Sequence, residues 1–121
     1  MSRSLRYGLL LIATLWLPLA QGGQNNVSRE ITLISVAELP PQGREVLKAI
    51  QQGGPFEYDR DGVIFGNRER ILPKQQRGYY HEYTVKTPGV RHRGTRRIVC
   101  GIVPECYYTA DHYKSFARIK E

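Results

Sequence analysis

The hydrophobic pattern divides the chain near its start. Arg3 and Arg6 precede a mainly apolar run at Leu9–Leu17, and small and polar residues follow it. That order is typical of a secretory signal peptide. The run is short against the ~20 residues of a membrane-spanning helix, so a permanent anchor is the weaker alternative. We predict a signal peptide over residues 1–22 and one mature domain over residues 23–121.

The mature part contains one segment with helical spacing. Val46, Leu47 and Ile50 would share a helix face, with prolines before the segment and glycines after it. From Gly54 onward, short runs of β-branched and aromatic residues alternate with turn residues, and "ITLIS" before the helix is also extended in character. These later runs are GVIFGN, RERILP, GYYHEYTVKTPG, TRRIVCG, CYYTADHY and YKSFARIK.

This order of elements predicts an α+β domain. One main N-terminal helix would pack on a twisted antiparallel β-sheet of about four to five strands, leaving the other sheet face free to bind. About 100 residues suffice for one core and not for two.

Alternation along two of the predicted strands gives a specific register. Glu82 and Thr84 share one face of "YYHEYTV", and Arg97 and Val99 share one face of "RRIVC". If these strands pair through the connection between them, Glu82 and Arg97 meet on the open face. A slip of one residue would separate them.

The positive charge of the chain indicates which class of ligand it could bind. The formal net charge is +7, and the segment from Arg60 to Arg97 holds ten basic and three acidic residues. Such a field attracts polyanions such as RNA, DNA or anionic lipid. A basic surface that serves only solubility is the alternative.

Three features supply candidate chemistry: Glu82, the run "RHRGTRR" at residues 91–97, and His112. Metal-free cleavage of RNA needs a base for the 2′-hydroxyl, an acid for the leaving oxygen and fixed cations for the phosphorane. Groups with reference pKa values of ~4.3 and ~6.5 can act as base and acid, and arginines supply bidentate positive charge. The simpler alternatives are a structural ion pair for the glutamate and an exposed surface position for the histidine. We expect no metal and no cofactor.

Three motifs resemble a known family. "FGNRE" at residues 65–69, "YYHEYTVKTPGVRHRGTRRIV" at residues 79–99 and "YYTADHY" at residues 107–113 are similar to the microbial guanyl-specific ribonucleases, the bacterial group that includes barnase. The similarity runs from about residue 39 to residue 116. It implies a secreted endoribonuclease that cleaves single-stranded RNA 3′ to guanosine, through a 2′,3′-cyclic phosphate that is then hydrolysed.

The resemblance also implies catalytic roles. Glu82 matches the family's general base and His112 its general acid. Arg93 and Arg97 match the arginines that stabilise the phosphate, and Tyr113 matches an aromatic residue beside it. His81, His92, Arg91 and Arg96 match no catalytic position, and we expect them to be structural or to attract RNA from outside the cleft.

The same resemblance implies a guanine site in "FGNRE". Glu69 would accept hydrogen bonds from the ring N–H and the exocyclic amino group of guanine. Backbone N–H groups around Asn67 and Arg68 would meet the carbonyl oxygen, while Phe65 would lie against the base. A carboxylate beside N–H donors distinguishes guanine from adenine, because the two bases present different donors and acceptors.

The positions of the two cysteines differ from those in some relatives. Cys100 and Cys106 suit an exported protein with a disulfide, and they would join the ends of a hairpin. Relatives that tie the first strand to the chain end have a cysteine where Ser35 stands here. We expect this departure to affect stability more than activity.

Two other functions remain open at this point. One is a non-catalytic cationic module that binds RNA or membranes, and the other is the same chemistry used as an antibacterial toxin. The family resemblance further implies an acidic inhibitor protein of the barstar type, and we expect a secreted, monomeric enzyme, extracellular or periplasmic.

Overall fold

The computed structural model describes residues 31–121. They form a six-stranded sheet with one α-helix and a short 3-10 turn. In chain order the elements are β1 (Thr32–Ser35), the 3-10 turn (Val36–Glu38), α1 (Pro41–Gln52), β2 (Val63–Phe65), β3 (Tyr80–Thr84), β4 (Arg97–Cys100), β5 (Cys106–Thr109) and β6 (Ala117–Lys120).

The helix lies where the sequence predicts it. Proline at its first position costs no hydrogen bond there, and Gly53 ends it with a left-handed φ of 84°. Leu47 and Ile50 are buried against the sheet, and Val46 packs beside them. The helix therefore covers one sheet face, and the predicted α+β class is confirmed.

The sheet differs from the prediction at one edge. Its strand order is β1-β6-β5-β4-β3-β2. Neighbours from β2 to β6 are antiparallel, as expected, but β1 runs parallel to β6 and adds a sixth strand. The expectation of a wholly antiparallel sheet was therefore wrong for β1. Parallel pairing is available there because the helix and four strands separate β1 from β6 in sequence.

The run "RERILP" at residues 68–73 forms no strand. Asn67 and Arg70 both have left-handed backbones, with φ of 52° and 57°, which an extended strand excludes. The segment instead makes a loop beside β2, and its Leu72 is buried.

Two apolar clusters occupy the two faces of the sheet. Val85 and Ile98 belong to the cluster beneath the helix. Tyr80, Val99 and Tyr107 belong to the other cluster, on the face that also carries Glu82 and Arg97 because strand residues alternate. The second cluster therefore packs on the sheet face that the helix does not cover.

The predicted disulfide is present between Cys100 and Cys106, with an S–S distance of 2.08 Å. These residues are also direct partners across β4 and β5, so the bond closes the hairpin. Within residues 31–121, no helix has the length and apolar content to cross a bilayer. The signal peptide predicted for residues 1–22 lies outside the described residues.

Candidate active site

A cleft of about 350 Å³ opens on the sheet face that the helix leaves free. Its size falls within the ~300–1,000 Å³ of small-molecule sites. The lining residues are Phe65, Gly66, Asn67, Arg68, Glu69, Ile71, Glu82, His112, Tyr113 and Phe116. This lining includes every predicted catalytic and substrate-binding residue except Arg93 and Arg97. Those two arginines lie beside Glu82, which lines the cleft.

Glu82 is the centre of the charged contacts. It lies in β3 and is only 8% exposed. Its Oε1 atom is 3.8 Å from Nη2 of Arg93 and 4.0 Å from Nε of Arg97, and it accepts a hydrogen bond from the Tyr113 hydroxyl. The other oxygen, Oε2, accepts no hydrogen bond within the described residues. One carboxylate oxygen is therefore held by the protein while the other is available.

The predicted register places these groups together. Glu82 is opposite Val99, and Thr84 is opposite Arg97, so all four side chains share a face. Arg97 is 2% exposed, and its Nη1 donates to the carbonyls of Gly94 at 3.1 Å and Arg96 at 2.8 Å. Its guanidinium is thus fixed by backbone acceptors as well as by charge.

Arg93 is held by Thr84, which was not predicted from the sequence to belong to the site. Its Nε and Nη2 both donate to Oγ1 of Thr84, at 3.0 Å and 2.8 Å. Thr84 shares a strand face with Glu82, and that two-residue spacing was the available signal. The hydroxyl holds Arg93 beside the carboxylate, since the N–H groups on one edge of a planar guanidinium can converge on a single acceptor oxygen.

Tyr113 links the carboxylate, an arginine and the aromatic wall. Its hydroxyl donates to Glu82 and accepts from Nε of Arg97 at 3.1 Å, and its ring stacks on Phe65 with centroids 5.0 Å apart. Burial, the Glu82 hydrogen bond and the Glu82 charge raise the pKa of Tyr113 to about 12, against the opposing effect of Arg97. The hydroxyl therefore remains a donor at neutral pH.

His112 lies in an unusual backbone turn. It has φ of 59° and Tyr113 has φ of 75°, a region that side chains other than glycine occupy at a cost. The His112 N–H donates to the Thr95 carbonyl at 2.9 Å. The exposed side chain of His112 lines the cleft.

Asp111 stabilises this turn, a role that was not predicted from the sequence. Its Oδ1 accepts from the backbone N–H groups of Lys114 and Ser115 at 3.1 Å and 3.0 Å, and its Oδ2 accepts from the Ser115 hydroxyl at 2.6 Å. Desolvation alone would raise its pKa, but hydrogen bonds from Ser115 and Thr109 outweigh it and lower the pKa of Asp111 to about 2. An Asp followed by Ser four residues later was a readable turn signal.

The loop of "FGNRE" offers donors from its backbone. The Asn67 side chain is occupied elsewhere: its Nδ2 donates to the Leu72 carbonyl at 3.0 Å and its Oδ1 accepts from the Leu72 N–H at 3.1 Å. The backbone N–H groups of Asn67, Arg68 and Glu69 donate to no acceptor within the described residues. Glu69 is exposed at the cleft. Donors and a carboxylate are thus available together.

The remaining residues of the basic run lie apart from Glu82. Arg96 donates to the Tyr108 hydroxyl at 3.2 Å and the Lys86 carbonyl at 3.3 Å, as expected of a structural cation. Nδ1 of His92 accepts from the Gly94 N–H at 2.9 Å. Among residues 31–121, no group of three or more His, Cys, Asp or Glu side chains is placed to hold a metal.

Comparison with known proteins places the chain in a family. The family model described as ribonuclease matches residues 22–120. Guanyl-specific ribonuclease Sa of Kitasatospora aureofaciens is 53% identical over 89 residues, which are 73% of this chain and 93% of that relative. Guanyl-specific ribonuclease St of Saccharopolyspora erythraea is 52% identical over 83 residues, 69% of this chain and 82% of that relative.

Solved structures agree with the sequence comparison. Ribonuclease Sa2 in complexes with mononucleotides has a TM-score of 0.75 and 46% identity, over 77% of this chain and 97% of that one. Ribonuclease Sa2 with guanosine-2′-cyclophosphate has a TM-score of 0.71 and 47% identity, over 75% and 97%. The chain therefore belongs to the ribonuclease family and, within it, to the microbial guanyl-specific group. The family predicted from the sequence is confirmed.

Proposed function

We propose that this chain is a secreted endoribonuclease that cleaves single-stranded RNA 3′ to guanosine without a metal. The observation that carries the proposal is the arrangement at Glu82. A nearly buried carboxylate lies between Arg93 and Arg97 in a cleft that also holds His112. Family membership makes the enzyme class plain, and the roles proposed for Glu82, His112, Arg93 and Arg97 are those that the family resemblance implies.

In the first step, Oε2 of Glu82 takes the proton of the ribose 2′-hydroxyl, whose oxygen then attacks phosphorus. Protonated His112 gives a proton to the departing 5′-oxygen, and a 2′,3′-cyclic phosphate remains. Arg93 and Arg97 stabilise the charge that grows on the phosphorane oxygens. The arginines are already fixed, Arg93 by Thr84 and Arg97 by backbone carbonyls, so little reorganisation is needed.

In the second step, the roles reverse. His112 takes a proton from water, the hydroxide attacks the cyclic phosphate, and Glu82 returns a proton to the 2′-oxygen. Tyr113 keeps Oε1 of Glu82 in place through its hydroxyl. One oxygen is thereby oriented while the other carries the proton.

Guanine fits the other end of the cleft. Glu69 supplies an acceptor for the two donors of the base, and the free N–H groups of Asn67 and Arg68 supply donors for its carbonyl oxygen. Phe65 offers a stacking surface, since single-stranded bases are commonly held on aromatic rings. These assignments follow the family motif and agree with where the side chains lie.

Two features support export. A disulfide joins Cys100 to Cys106, and such bonds persist outside the cytosol. The apolar run near the start of the chain has the composition of a signal peptide. We also propose that the enzyme acts as a monomer and that an acidic protein of the barstar type would cover its basic cleft.

The test is the digestion of an oligoribonucleotide that contains each of the four nucleotides once, with product ends identified by mass. We expect a single cut after guanosine, a cyclic phosphate that appears before the 3′-phosphate, and full activity in excess chelator. An all-deoxy oligonucleotide should stay intact, because it lacks the nucleophile. Cuts after several different nucleotides, or loss of activity with chelator, would contradict the proposal.

A variant at Glu69 separates specificity from catalysis. Glu69→Gln should lower the preference for guanosine over adenosine while cleavage continues, because the second carboxylate, Glu82, remains. Intact RNA that is merely bound, with binding that weakens steeply in salt, would instead favour the non-catalytic module. Killing of neighbouring cells by the purified protein would favour the toxin.

A further inference from the structure

Arg77 has a fixed backbone position next to the cleft. The Tyr79 N–H donates to the Gln76 carbonyl at 3.1 Å, and Gly78 between them has φ of 92°. This is a β-turn with Arg77 and glycine as its central residues, and glycine is favoured where such a turn needs positive φ. The Arg77 side chain is exposed and projects from an ordered turn.

The guanidinium of Arg77 lies beside Gly66, as does the side chain of Arg68. A Cβ atom added to Gly66 would be 3.7 Å from Nη1 of Arg77, and Gly66 itself lines the cleft. No side chain at position 66 therefore stands between this guanidinium and a bound nucleotide. Glycine at position 66 leaves space for a ligand, and Arg77 places a cation beside that space.

Arg77 differs from the catalytic arginines in its partners. Arg93 and Arg97 both lie near Glu82, whereas none of the ion pairs and side-chain hydrogen bonds within residues 31–121 involves Arg77. A solvated surface cation is the simpler explanation. However, a cation without such a partner beside Gly66, which itself lines the cleft, is also available for a phosphate.

The register of β2 and β3 gives the position of Arg77 along the cleft. Val63 is opposite Glu82 and Phe65 is opposite Tyr80, so Gly66 is three residues, roughly 10 Å, along the strand from the catalytic carboxylate. In the proposed complex the scissile phosphate lies at the Glu82 end, and the guanine stacks on Phe65, between that end and Gly66. The only other phosphate attached to that nucleoside is the one on its 5′ side.

We infer that Arg77 binds the 5′ phosphate of the guanosine whose 3′ phosphate is cleaved. This inference rests on the proposed function and adds a subsite to it. The contact is remote from the reacting atoms, so it binds the substrate and the transition state equally. It should therefore lower KM and leave kcat unchanged.

The test compares two substrates that differ only at that phosphate. The first is GpU with a free 5′-hydroxyl, and the second is GpU with a 5′ methylphosphate, which has the single charge of an internal phosphodiester. For the wild-type enzyme, KM should be about tenfold lower for the second substrate, the effect of one hydrogen bond to a charged group. Arg77→Gln should abolish that difference and leave the kinetics of GpU unchanged.

Lys74→Ala is the matched control, because it removes one exposed cation from the same loop. It should keep the preference for the 5′ methylphosphate. The inference is overturned if Arg77→Gln keeps the preference, if it impairs both substrates equally, or if Lys74→Ala abolishes the preference as well. Failure of the wild-type enzyme to cleave either substrate would instead contradict the proposed function.

Discussion

Two carboxylates of this protein each bind tyrosine hydroxyls, yet their surroundings differ. Glu105, in the turn after β4, accepts from Tyr79 through Oε1 and from Tyr107 through Oε2 at 2.8 Å. Glu82 accepts from Tyr113 through Oε1 alone. Both oxygens of Glu105 are therefore occupied, whereas Glu82 keeps one oxygen available.

The neighbouring cations make the second difference. Arg93 and Arg97 lie within 4.0 Å of Glu82. Arg118 lies instead over the ring of Tyr107, the tyrosine that donates to Oε2 of Glu105, at 5.6 Å from the ring centroid. Three features therefore suit Glu82, and not Glu105, to proton transfer: one oxygen without a hydrogen bond within residues 31–121, a position in the cleft, and two fixed arginines beside it. Hydrogen bonds from tyrosine hydroxyls alone do not distinguish the two sites.

The tyrosines that bind Glu105 have raised pKa values, although neither of them lines the cleft. The Glu105 hydrogen bond, together with desolvation, raises the pKa of Tyr79. Burial, followed by the same carboxylate, raises the pKa of Tyr107 well above its ordinary value. A raised tyrosine pKa is therefore common to both regions and does not mark the active site by itself.

The largest effect should come from Glu82→Gln, which removes the proposed base and keeps the shape of the side chain. We expect kcat/KM on GpU to fall by about 10²–10⁴-fold, the usual contribution of general base catalysis. Initial rates measure the fall, and circular dichroism checks the fold. Glu105→Gln is the matched control and should keep the wild-type rate. A rate for Glu82→Gln close to that of the control would contradict the comparison.

Arg97→Ala should have the next largest effect. Loss of a fixed cation beside the phosphate should lower kcat by about 10²–10³-fold and change RNA binding much less. Arg96→Ala is the control, because Arg96 directly precedes β4, points to the other face and contacts Tyr108. Rates and binding are compared below the unfolding temperature of each variant, since Arg97 is buried. Equal losses in the two variants would refute the assignment.

The sequence predicted most of this arrangement where local rules apply. Alternation placed Glu82 and Arg97 on one face, and the pairing of β3 with β4 has that register. The parallel partner of β1 was not predictable, because "ITLIS" has the same pattern in either direction and its neighbour β6 is at the far end of the chain. The loop at residues 68–73 was mistaken for a strand because nothing in its composition signals the positive φ of Arg70.

Support for the site was harder to predict than the site itself. The motifs name Arg93 and His112, but the residues that hold them depend on loop geometry. Thr84 binds Arg93 across nine residues, and Asp111 binds Ser115 within a turn. Such hydrogen bonds follow from the folded backbone, and a sequence pattern constrains them only weakly.

Substitution of Glu105 should lower the stability of the protein and leave its activity unchanged. Glu105→Gln replaces an acceptor oxygen by an amide nitrogen, so one tyrosine hydroxyl loses its acceptor. We expect a loss of about 1–3 kcal/mol in the free energy of unfolding, measured by urea denaturation. Tyr107→Phe in the same background should then cost less than it does in the wild type, because the two residues interact. Additive losses would show that the hydrogen bond contributes nothing.

The smallest effect concerns the turn that holds His112. The pKa of Asp111 is lowered to about 2 in the folded protein, from ~3.9 in an unfolded chain. Its stabilisation is therefore present above pH ~3.9 and is lost as the pH falls through about 2. Asp111→Asn should be less stable than wild type at pH 6, and the difference should close near pH 2. Urea unfolding at both pH values measures this, and a constant difference would contradict the shift.

The most direct test of the account asks whether Glu82 and His112 divide the two proton transfers. Guanosine 3′-(4-nitrophenyl) phosphate has a leaving group that departs without protonation, whereas the leaving oxygen of GpU needs an acid. We predict that His112→Gln is severely impaired on GpU and nearly as active as wild type on the aryl ester. Glu82→Gln should be impaired on both. Recovery of Glu82→Gln on the aryl ester, or equal impairment of His112→Gln on both substrates, would contradict the assignment.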